Sequence, residues 1–577
     1  MAQQFGQGFE SLEERTLLAA NVTAVLSNGT LTITGGTTTP DDEIYIYGDG
    51  VTGHVQVNAD TGAVGTFTNV TNIVVNGGAG NDDIYIDDLK VTGNVTANGG
   101  TGLDDIEVTA SYGNTSIGGN LTVNGGGQAD DIYVYAENGY GLTVVKNVTL
   151  NSNGGDVEIY TDGGYGNDGL SSININGNVV MNNVSAAGAY GNTEIYVADD
   201  SYGFSYGTGA YGYGNYGTGG AFGYGSGGPS YGTYYGNDVG YGGYGWSSLA
   251  SGTNEFGTGE INIVGNVTMT GGSGHDYQGI YTDDTDGSID INGAVTMNGG
   301  AGNDTMEVTA YGDLSSVETG KVTMNASTGH DQMYIYSGGY GSDTTTGAVV
   351  MNGGNGDDFL AVGTGDAYGY GFFGGSYGTT LDTGAVTLNG ENGDDRLGVV
   401  SIGYGNTTTV HGSVSMSGWS NEDQLFAGTL GFFNELEIQG NLTMNGWDAN
   451  DQLSVITLGY GNTVNVTGAL TMNGGNGNDT IGASDYGYGM GGNDITVGSA
   501  VVTGGNGDDS IFAYGITVEG NASISGNNGI DTLTVGRSSA LGNFSFNGGL
   551  GNDTFIDLGF NFVGGTETYL NVENLPV

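Results

Sequence analysis

The chain has 577 residues, of which 121 are glycine and none is cysteine, and 63 acidic residues against 6 Lys and Arg give a net charge of −57. This acidity excludes a basic nucleic-acid-binding face and attraction to an anionic membrane surface, and the lack of cysteine excludes disulfides and cysteine-based chemistry. No run of about 20 apolar residues is present, so no transmembrane helix is predicted. Hydrophobic residues still make up 37% and recur at fixed positions, which favours a repeat array over disorder.

Residues 1–20 are interpreted as an export or capping segment. Their pattern from Phe9 to Ala19 (Phe-Glu-x-Leu-Glu-x-Arg-x-Leu-Leu-Ala) resembles the short leader LE-x-R-x-LL of many large surface and secreted proteins of planctomycete-type bacteria. Glu14 stands where that leader usually has proline after Leu-Glu. The resemblance implies an extracellular or cell-surface location in a bacterium. The alternative is one or two helical turns that cap the first repeat.

A phrase of the type Gly-Asn-Val-Thr-Met-Asn recurs about every 28 residues along nearly the whole chain, with weaker copies near Gly29, Gly53 and Thr71. Its apolar and polar residues alternate with period two, which predicts a half-buried strand. The methionine position is shared by eight copies, and we interpret it as a core column rather than a soft-metal site. These residues are Met181, Met269, Met297, Met324, Met351, Met416, Met444 and Met472.

After each such strand comes a turn of the pattern G-G-x-G-x-D-x-hydrophobic, as in Gly77 to Ile84. A second strand follows the turn, with aliphatic residues facing in and tyrosines facing out, and then a corner that is often Tyr-Gly-Asn. Fourteen aspartates occupy one register of this turn. They are Asp82, Asp104, Asp130, Asp276, Asp304, Asp331, Asp358, Asp395, Asp423, Asp451, Asp479, Asp509, Asp531 and Asp553.

Each copy therefore reads as strand, turn, strand, turn, which is too short for a propeller blade and has no helix for a leucine-rich horseshoe. The sequence predicts an all-β chain that folds as a single parallel β-solenoid of about 17 coils. Its N-terminal half spans residues 21–200 and its C-terminal half residues 254–577. A Tyr/Gly-rich insertion, 201–253, separates them and is interpreted as a loop that joins subunits or as a surface loop.

Stacked copies would place the aspartates about 4.8 Å apart, where unit charges repel by roughly 0.9 kcal/mol in water and about 3.5 at an effective dielectric of 20. One interpretation is that a cation lies between them. The other is that each aspartate closes its turn through side-chain-to-backbone hydrogen bonds and points to water. All-oxygen ligands would suit a hard ion such as Ca²⁺.

The turn pattern resembles the nonapeptide of the repeats-in-toxin, or haemolysin-type, calcium-binding family. That resemblance implies that the aspartates bind Ca²⁺ shared with the equivalent turn of the next coil. The family repeats its nonapeptide in tandem, whereas this chain has one per coil, so at most one edge would carry ions. Degraded turns, with Gln128 and Ala129 in one and Trp419 and Trp447 in two others, are expected to lack a full site.

No catalytic constellation is visible: there is no Ser-His-Asp order and no H-E-x-x-H, and His275 and His330, which precede turn aspartates, are interpreted as surface variation. We expect a non-enzymatic, secreted structural protein that forms a homo-polymer, head-to-tail or lateral, in a filament, surface layer or matrix. The alternative is a monomeric adhesin or rod that binds a cell-surface polysaccharide or ice. A polysaccharide lyase or epimerase is disfavoured because the six basic residues are scattered.

Overall fold

The computed structural model describes residues 22–36, 41–60, 62–162, 170–198, 259–365, 376–487, 492–559 and 561–574. Every regular element in these ranges is a β-strand, and they contain no helix that could cross a membrane. The predictions for residues 1–20 and for the insertion 201–253 fall outside the described residues.

The described chain is built from layers of three strands. The first strand of a layer, here called the pre-turn strand, carries the Gly-Asn-Val-Thr-Met-Asn phrase and ends at the glycine turn. The pre-turn strands are Thr30–Thr34, Asn72–Ala79, Val95–Thr101, Leu121–Gly126, Val148–Ser152, Val179–Asn183, Val267–Thr270, Val295–Ala301, Val322–Thr328, Val349–Asn355, Val386–Asn392, Val414–Ser420, Leu442–Asp448, Thr463–Asn476, Asp494–Asn506, Ala522–Asn528, Phe544–Leu550 and Glu567–Leu570.

The second strand, the post-turn strand, begins just after the turn aspartate. The post-turn strands are Glu43–Gly48, Asp83–Asp87, Asp105–Ala110, Asp131–Ala136, Asp156–Asp162, Tyr190–Ala198, His275–Thr282, Thr305–Ala310, Gln332–Ser337, Phe359–Thr364, Arg396–Tyr404, Gln424–Phe432, Gln452–Tyr460, Thr480–Gly487, Ser510–Tyr514, Thr532–Gly536 and Thr554–Asp557.

The third strand is short, follows the second corner and leads into the next pre-turn strand. In Thr463–Asn476 and Asp494–Asn506 the third and pre-turn strands are continuous. The separate third strands are Lys90–Val91, Thr115–Ile117, Gly141–Val144, Ser171–Ile175, Gly259–Ile263, Ser288–Ile291, Ser316–Thr319, Asp343–Thr346, Thr380–Thr383, Thr407–Val410, Glu435–Ile438, Ile516–Val518, Ser539–Ala540 and Phe562–Val563.

Corresponding strands of successive layers pair in parallel, with equal letters opposite each other. Met269, for example, pairs with Met181 and Met297. Pre-turn and third strands form one long sheet, and post-turn strands form the other. The result is an all-β, solenoid-like repeat architecture, as predicted. The eight column methionines are at most 1% exposed, which confirms their place in the core.

The N-terminal end departs from the parallel pattern. Thr23–Ser27 pairs antiparallel with Thr30–Thr34, and Val55–Ala59 lies antiparallel between Glu43–Gly48 and Gly62–Phe67. The weak copy expected near Gly53 is therefore wrong as a parallel layer: the chain turns back there as a hairpin. The hairpin gives the edge of the Glu43–Gly48 strand a partner within the chain.

Core residues of the two sheets face each other and alternate with outward polar residues along the pre-turn strands. The outer face of the post-turn sheet is different in the middle of the chain, where Tyr190–Ala198 and His275–Thr282 are buried on both faces. The tyrosines expected to face out do leave the main core, but Tyr196 and Tyr281 are only 5% and 2% exposed. Their rings stack, with centroids 5.3 Å apart.

Candidate metal centre

All fourteen predicted aspartates lie at the same corner, between the pre-turn and post-turn strands, and each is at most 3% exposed. The structure adds Asp42, which is 1% exposed and continues the same column. The sequence analysis missed it because its turn, from Gly35 to Asp42, is two residues longer than the others. The signal that could have found it is the pair Gly35-Gly36 followed by an aspartate and then Ile44.

In thirteen of the fourteen predicted aspartates, all except Asp276, one carboxylate oxygen accepts a backbone N–H of the neighbouring layer. The backbone N–H of an aspartate donates to Oδ1 of the aspartate one layer later, as from Asp304 to Asp331 and from Asp331 to Asp358. These N···O distances lie between 2.7 and 3.0 Å along the column. The aspartates do accept side-chain-to-backbone hydrogen bonds, but these join neighbouring layers and do not close the aspartate's own turn. The expectation that the carboxylates point to water is wrong, because they are buried.

The second oxygen, Oδ2, is buried and has no hydrogen-bond partner in thirteen of the aspartates. Asp42 has the same unpaired oxygen under the name Oδ1, whereas both oxygens of Asp276 are paired, with Ser185 and Gly272. A buried carboxylate oxygen without a partner is costly. The column therefore leaves one unsatisfied acceptor in almost every layer.

The first position of the turn is glycine in most layers, where a side chain would collide with this oxygen. A Cβ at Gly77 would lie 2.6 Å from Oδ2 of Asp82 and 2.5 Å from the carbonyl oxygen of Gly99 in the next layer. A carboxylate oxygen and a carbonyl oxygen thus both lie close to the Cα of this glycine, and neither can donate a hydrogen bond while the aspartate is ionised. A cation, a proton or a water molecule would satisfy the unpaired carboxylate oxygen.

Electrostatics agree with the unpaired oxygens. Burial raises the pKa of Asp82 to about 6 and the pKa of Asp358 and Asp423 to about 8. The backbone N–H that each accepts lowers the pKa, but desolvation outweighs it, and repulsion from neighbouring aspartates such as Asp331 and Asp395 beside Asp358 adds to the rise. Without a cation the ionised column opposes folding.

A second column of side chains runs along the outside of the same turn. Its hydrogen bonds run in the opposite direction, because each side chain accepts a backbone N–H from the following layer. The backbone N–H of Asp394 donates to Oδ1 of Asp357 in the preceding layer at 3.0 Å. His275 and His330 belong to this column: Nδ1 of His275 accepts the N–H of Asn303 at 2.8 Å, and Nδ1 of His330 accepts that of Asp357 at 3.0 Å. Both imidazoles are acceptors, a role that the interpretation as surface variation had not assigned.

The second corner, after the post-turn strand, holds a matching column of asparagines. The N–H of Asn406 donates to Oδ1 of Asn434, and that of Asn434 to Oδ1 of Asn462, at 3.0 and 2.9 Å. Here the second head-group atom is an amide nitrogen, and Nδ2 of Asn434 donates to the carbonyl oxygens of Leu430 and Gly403 at 2.8 and 2.9 Å. Every atom of the Asn434 head group is paired. In the sequence, Asn406 and Asn462 appear only as the last letter of Tyr-Gly-Asn, and Asn434 follows Phe-Phe and lacks that signal.

The aspartate column is interrupted between Asp130 and Asp276. Ser152 accepts the N–H of Asp130 at 3.2 Å, and Ser185 donates to Oδ1 of Asp276 at 2.6 Å, so hydroxyl groups replace carboxylates there. The turns with Trp419 and Trp447 keep their buried aspartates, Asp423 and Asp451, with unpaired Oδ2 atoms. These two turns were expected to lack a full metal site, but their aspartates have the same buried, unpaired oxygen as those of the other turns.

The atoms available to a metal ion at the aspartate corner are carboxylate and main-chain carbonyl oxygens. Among the described residues, no group of three or more His, Asp or Glu side chains could hold a metal ion. An ion at this corner would take one or two carboxylates and complete its shell with main-chain carbonyl oxygens and water, which are ligands that Ca²⁺ accepts. The orphaned Oδ2 atoms and the adjacent glycine carbonyl oxygens fit that description.

No protein-family model matches this chain, and no curated protein matches it either. The resemblance to the repeats-in-toxin turn therefore depends on the turn residues alone.

Proposed function

We propose that this chain is a non-enzymatic, calcium-stabilised structural protein: a secreted bacterial rod that self-associates into a filament, surface layer or matrix. The observation that carries the calcium part is the contrast within each layer. The asparagine corner pairs every head-group atom, whereas the aspartate corner buries an unpaired carboxylate oxygen beside a carbonyl oxygen. A divalent cation removes that deficit along the whole column.

The residues that would hold Ca²⁺ are the fourteen predicted aspartates together with Asp42, and all of them except Asp276 would do so through an unpaired oxygen. The carbonyl oxygen of the first turn glycine in the next layer, such as Gly99 for Asp82 and Gly390 for Asp358, would be a second ligand. Bound Ca²⁺ supplies positive charge that neutralises neighbouring carboxylates and links adjacent layers. Asp276, whose two oxygens are already paired with Ser185 and Gly272, is the weakest of these ligands.

The architecture supports a structural role. We propose a single solenoid of about 17 coils, with the Tyr/Gly-rich segment 201–253 as a loop insertion and residues 1–20 as its export or capping segment. At about 4.8 Å a layer, such a rod is about 80 Å long. Its polar side chains are used in ladders between layers rather than gathered around a cleft, which supports a scaffold rather than an enzyme.

A monomeric adhesin is the second candidate, and one surface favours it. Along the pre-turn strands, half-buried asparagines form an amide ladder, with Asn124 Nδ2 donating to Asn98 Oδ1 at 2.8 Å and Asn151 to Asn124 at 2.7 Å. Threonines Thr96, Thr122 and Thr149 run beside it. This flat amide and hydroxyl surface suits a neutral cell-surface polysaccharide or ice.

The test is thermal unfolding of the full chain with calcium, with EDTA, and with EDTA followed by excess calcium. One site at a free calcium concentration 100-fold above its Kd adds about 2.7 kcal/mol, so several sites move Tm by more than about 10 °C. Electron microscopy of the same samples reports assembly. A Tm that is the same with calcium and with EDTA would contradict the calcium part of the proposal. Single, dispersed rods in calcium at every protein concentration would favour the adhesin.

A further inference from the structure

Six exposed aromatic side chains form a continuous line over the second corner of five successive layers. We name this line the aromatic ridge, and its members are 42–60% exposed: Tyr340, Tyr377, Tyr404, Phe432, Phe433 and Tyr460. Tyr340, Tyr377 and Tyr404 are bridged to one another in parallel, and Phe432 pairs with both Tyr404 and Tyr460. The rings therefore repeat once a layer.

The ridge is held rigidly from below. Ring centroids of Tyr377 and Tyr404 are 5.5 Å apart, and those of Phe433 and Tyr460 are also 5.5 Å apart. Beneath them lies the fully paired asparagine column, and Phe433 is fixed at φ 58°, a region that a bulky residue rarely adopts. A row of large apolar rings in a fixed arrangement at the surface is typical of a protein contact.

We propose that the aromatic ridge is a lateral interface between two copies of this chain, an inference that rests on the proposed self-association. An aromatic side chain buries about 150–250 Å² when fully covered, so six half-exposed rings offer roughly 500 to 600 Å² per copy. The half-buried Ile402, Leu430 and Leu458, which lie beside the ridge, enlarge the contact. A stable interface needs about 800 Å² from each partner, and the ridge approaches that area.

The spacing of the ridge identifies a second copy as its occupant. Rings that recur at the rise of one layer, about 4.8 Å, are matched by another column with the same rise. Two antiparallel ridges related by a two-fold axis give a self-complementary contact, in which the two rows of rings pack side by side with the same spacing. A globular partner has no such period.

Two edge strands of the described layers favour this lateral contact over pairing between strand edges. The last pre-turn strand places Glu567 opposite the core residue Phe544, and a charge facing inward on an edge strand discourages further pairing. On the N-terminal side of the described layers, the outermost strands Thr23–Ser27 and Gly62–Phe67 are antiparallel to their neighbours, which interrupts the parallel stacking that a second copy would have to continue. The ridge itself contains no charged residue, so it is a part of this chain of net charge −57 where two copies meet with reduced repulsion.

Sedimentation of the full chain in calcium, over a range of concentrations, tests the interface. The ridge variant combines Tyr404→Ser, Phe432→Ser, Phe433→Asn and Tyr460→Ser, with asparagine chosen because it tolerates the positive φ. The matched control, Trp419→Asn with Trp447→Asn, removes two aromatic side chains that are 51% and 48% exposed but lie at the aspartate corner, where φ is 85° and 84°. Each variant is first checked by its Tm in calcium and in EDTA.

We expect the wild type and the tryptophan control to associate alike and the ridge variant to associate about 100-fold more weakly. Raised salt should strengthen association of the wild type by screening its charge. A wild type that stays monomeric throughout, a ridge variant that associates like the wild type, or an equal loss in the control would overturn the ridge. The Tm difference between calcium and EDTA reports on the metal column separately, so failure of either proposal is recognised by itself.

Discussion

The aspartate corner and the asparagine corner both bury a head group that accepts the backbone N–H of the preceding layer. They differ in one atom: Asn434 presents an amide nitrogen to two carbonyl oxygens, whereas Asp82 presents an oxygen beside the carbonyl oxygen of Gly99. The head group of Asn434 is therefore fully paired by the protein, whereas Asp82 keeps one buried oxygen without a partner. Because the two corners share one geometry and differ in this atom, we expect stability to depend on pH and calcium through the aspartate corner and not through the asparagine corner.

The largest effect is expected from pH in the absence of metal. The folded pKa values of the column are raised to between about 6 and 8 at Asp82, Asp304, Asp358 and Asp423, above the ordinary value of 3.8. Raised values mean that the protonated column is fully compatible with folding below about pH 4 and that stability falls as pH rises toward 8. In EDTA we expect Tm to be about 10 °C or more lower at pH 8 than at pH 5.

The same titration in calcium is the control, because a bound cation takes the place of the protons and should flatten the pH dependence. Differential scanning calorimetry measures both series. A Tm in EDTA that rises with pH would show that the carboxylates are satisfied by some other means.

The next effect comes from moving the aspartate chemistry to the other corner. Asn434→Asp replaces an amide that donates at 2.8 and 2.9 Å with an oxygen facing two carbonyl oxygens. An uncompensated buried charge costs about 3–5 kcal/mol. Denaturant unfolding should show this loss both in calcium and in EDTA, since the asparagine corner has no designed cation position. Rescue of the variant by calcium would mean that the two corners are equivalent after all.

The reciprocal change, Asp358→Asn, should have an effect that reverses sign with calcium. In EDTA, Nδ2 of the new residue can donate toward the carbonyl oxygen of Gly390 and removes a buried charge, so we expect a gain of about 1–3 kcal/mol. In calcium, loss of one site costs about 2.7 kcal/mol at 100-fold saturation.

Asp276→Asn is the matched control for that reversal, because both oxygens of Asp276 are already paired with Ser185 and Gly272. It should lose stability in both conditions. Calcium counts from equilibrium dialysis should fall in Asp358→Asn. An Asp358→Asn variant that is destabilised equally with and without calcium would support turn closure without metal.

The smallest effect concerns the backbone of the aspartate turn. Glu391 occupies a glycine position of that turn with φ 80°, where a side chain is strained. Glu391→Gly should stabilise the chain by about 1 kcal/mol. Glu437→Gly, in the strand Glu435–Ile438, should instead cost about 0.5–1 kcal/mol, because glycine gains nothing in an ordinary extended strand. Chemical denaturation of both variants checks the sign.

The repeat made much of the site predictable. Equal letters one period apart had to stack, so the fourteen aspartates and the methionine column were assigned to single registers, and both registers are present. The direction of the carboxylates was not predictable, because it depends on an N–H left free by the layer before. Asp42, in its longer turn, and the hydroxyl groups of Ser152 and Ser185 were not found from the sequence. Their roles are also defined by contacts with a neighbouring layer and not by the repeat pattern.

The sequence by itself determined the all-β repeat, the parallel stacking and the identity of each column, because periodic side chains can be buried together only when their layers align. The tertiary structure alone decided that the carboxylates turn inward, that one oxygen of nearly every aspartate is unpaired, and that the asparagines of the opposite corner are satisfied. Those facts depend on which backbone groups meet across neighbouring layers, and that relation exists only after the layers have stacked.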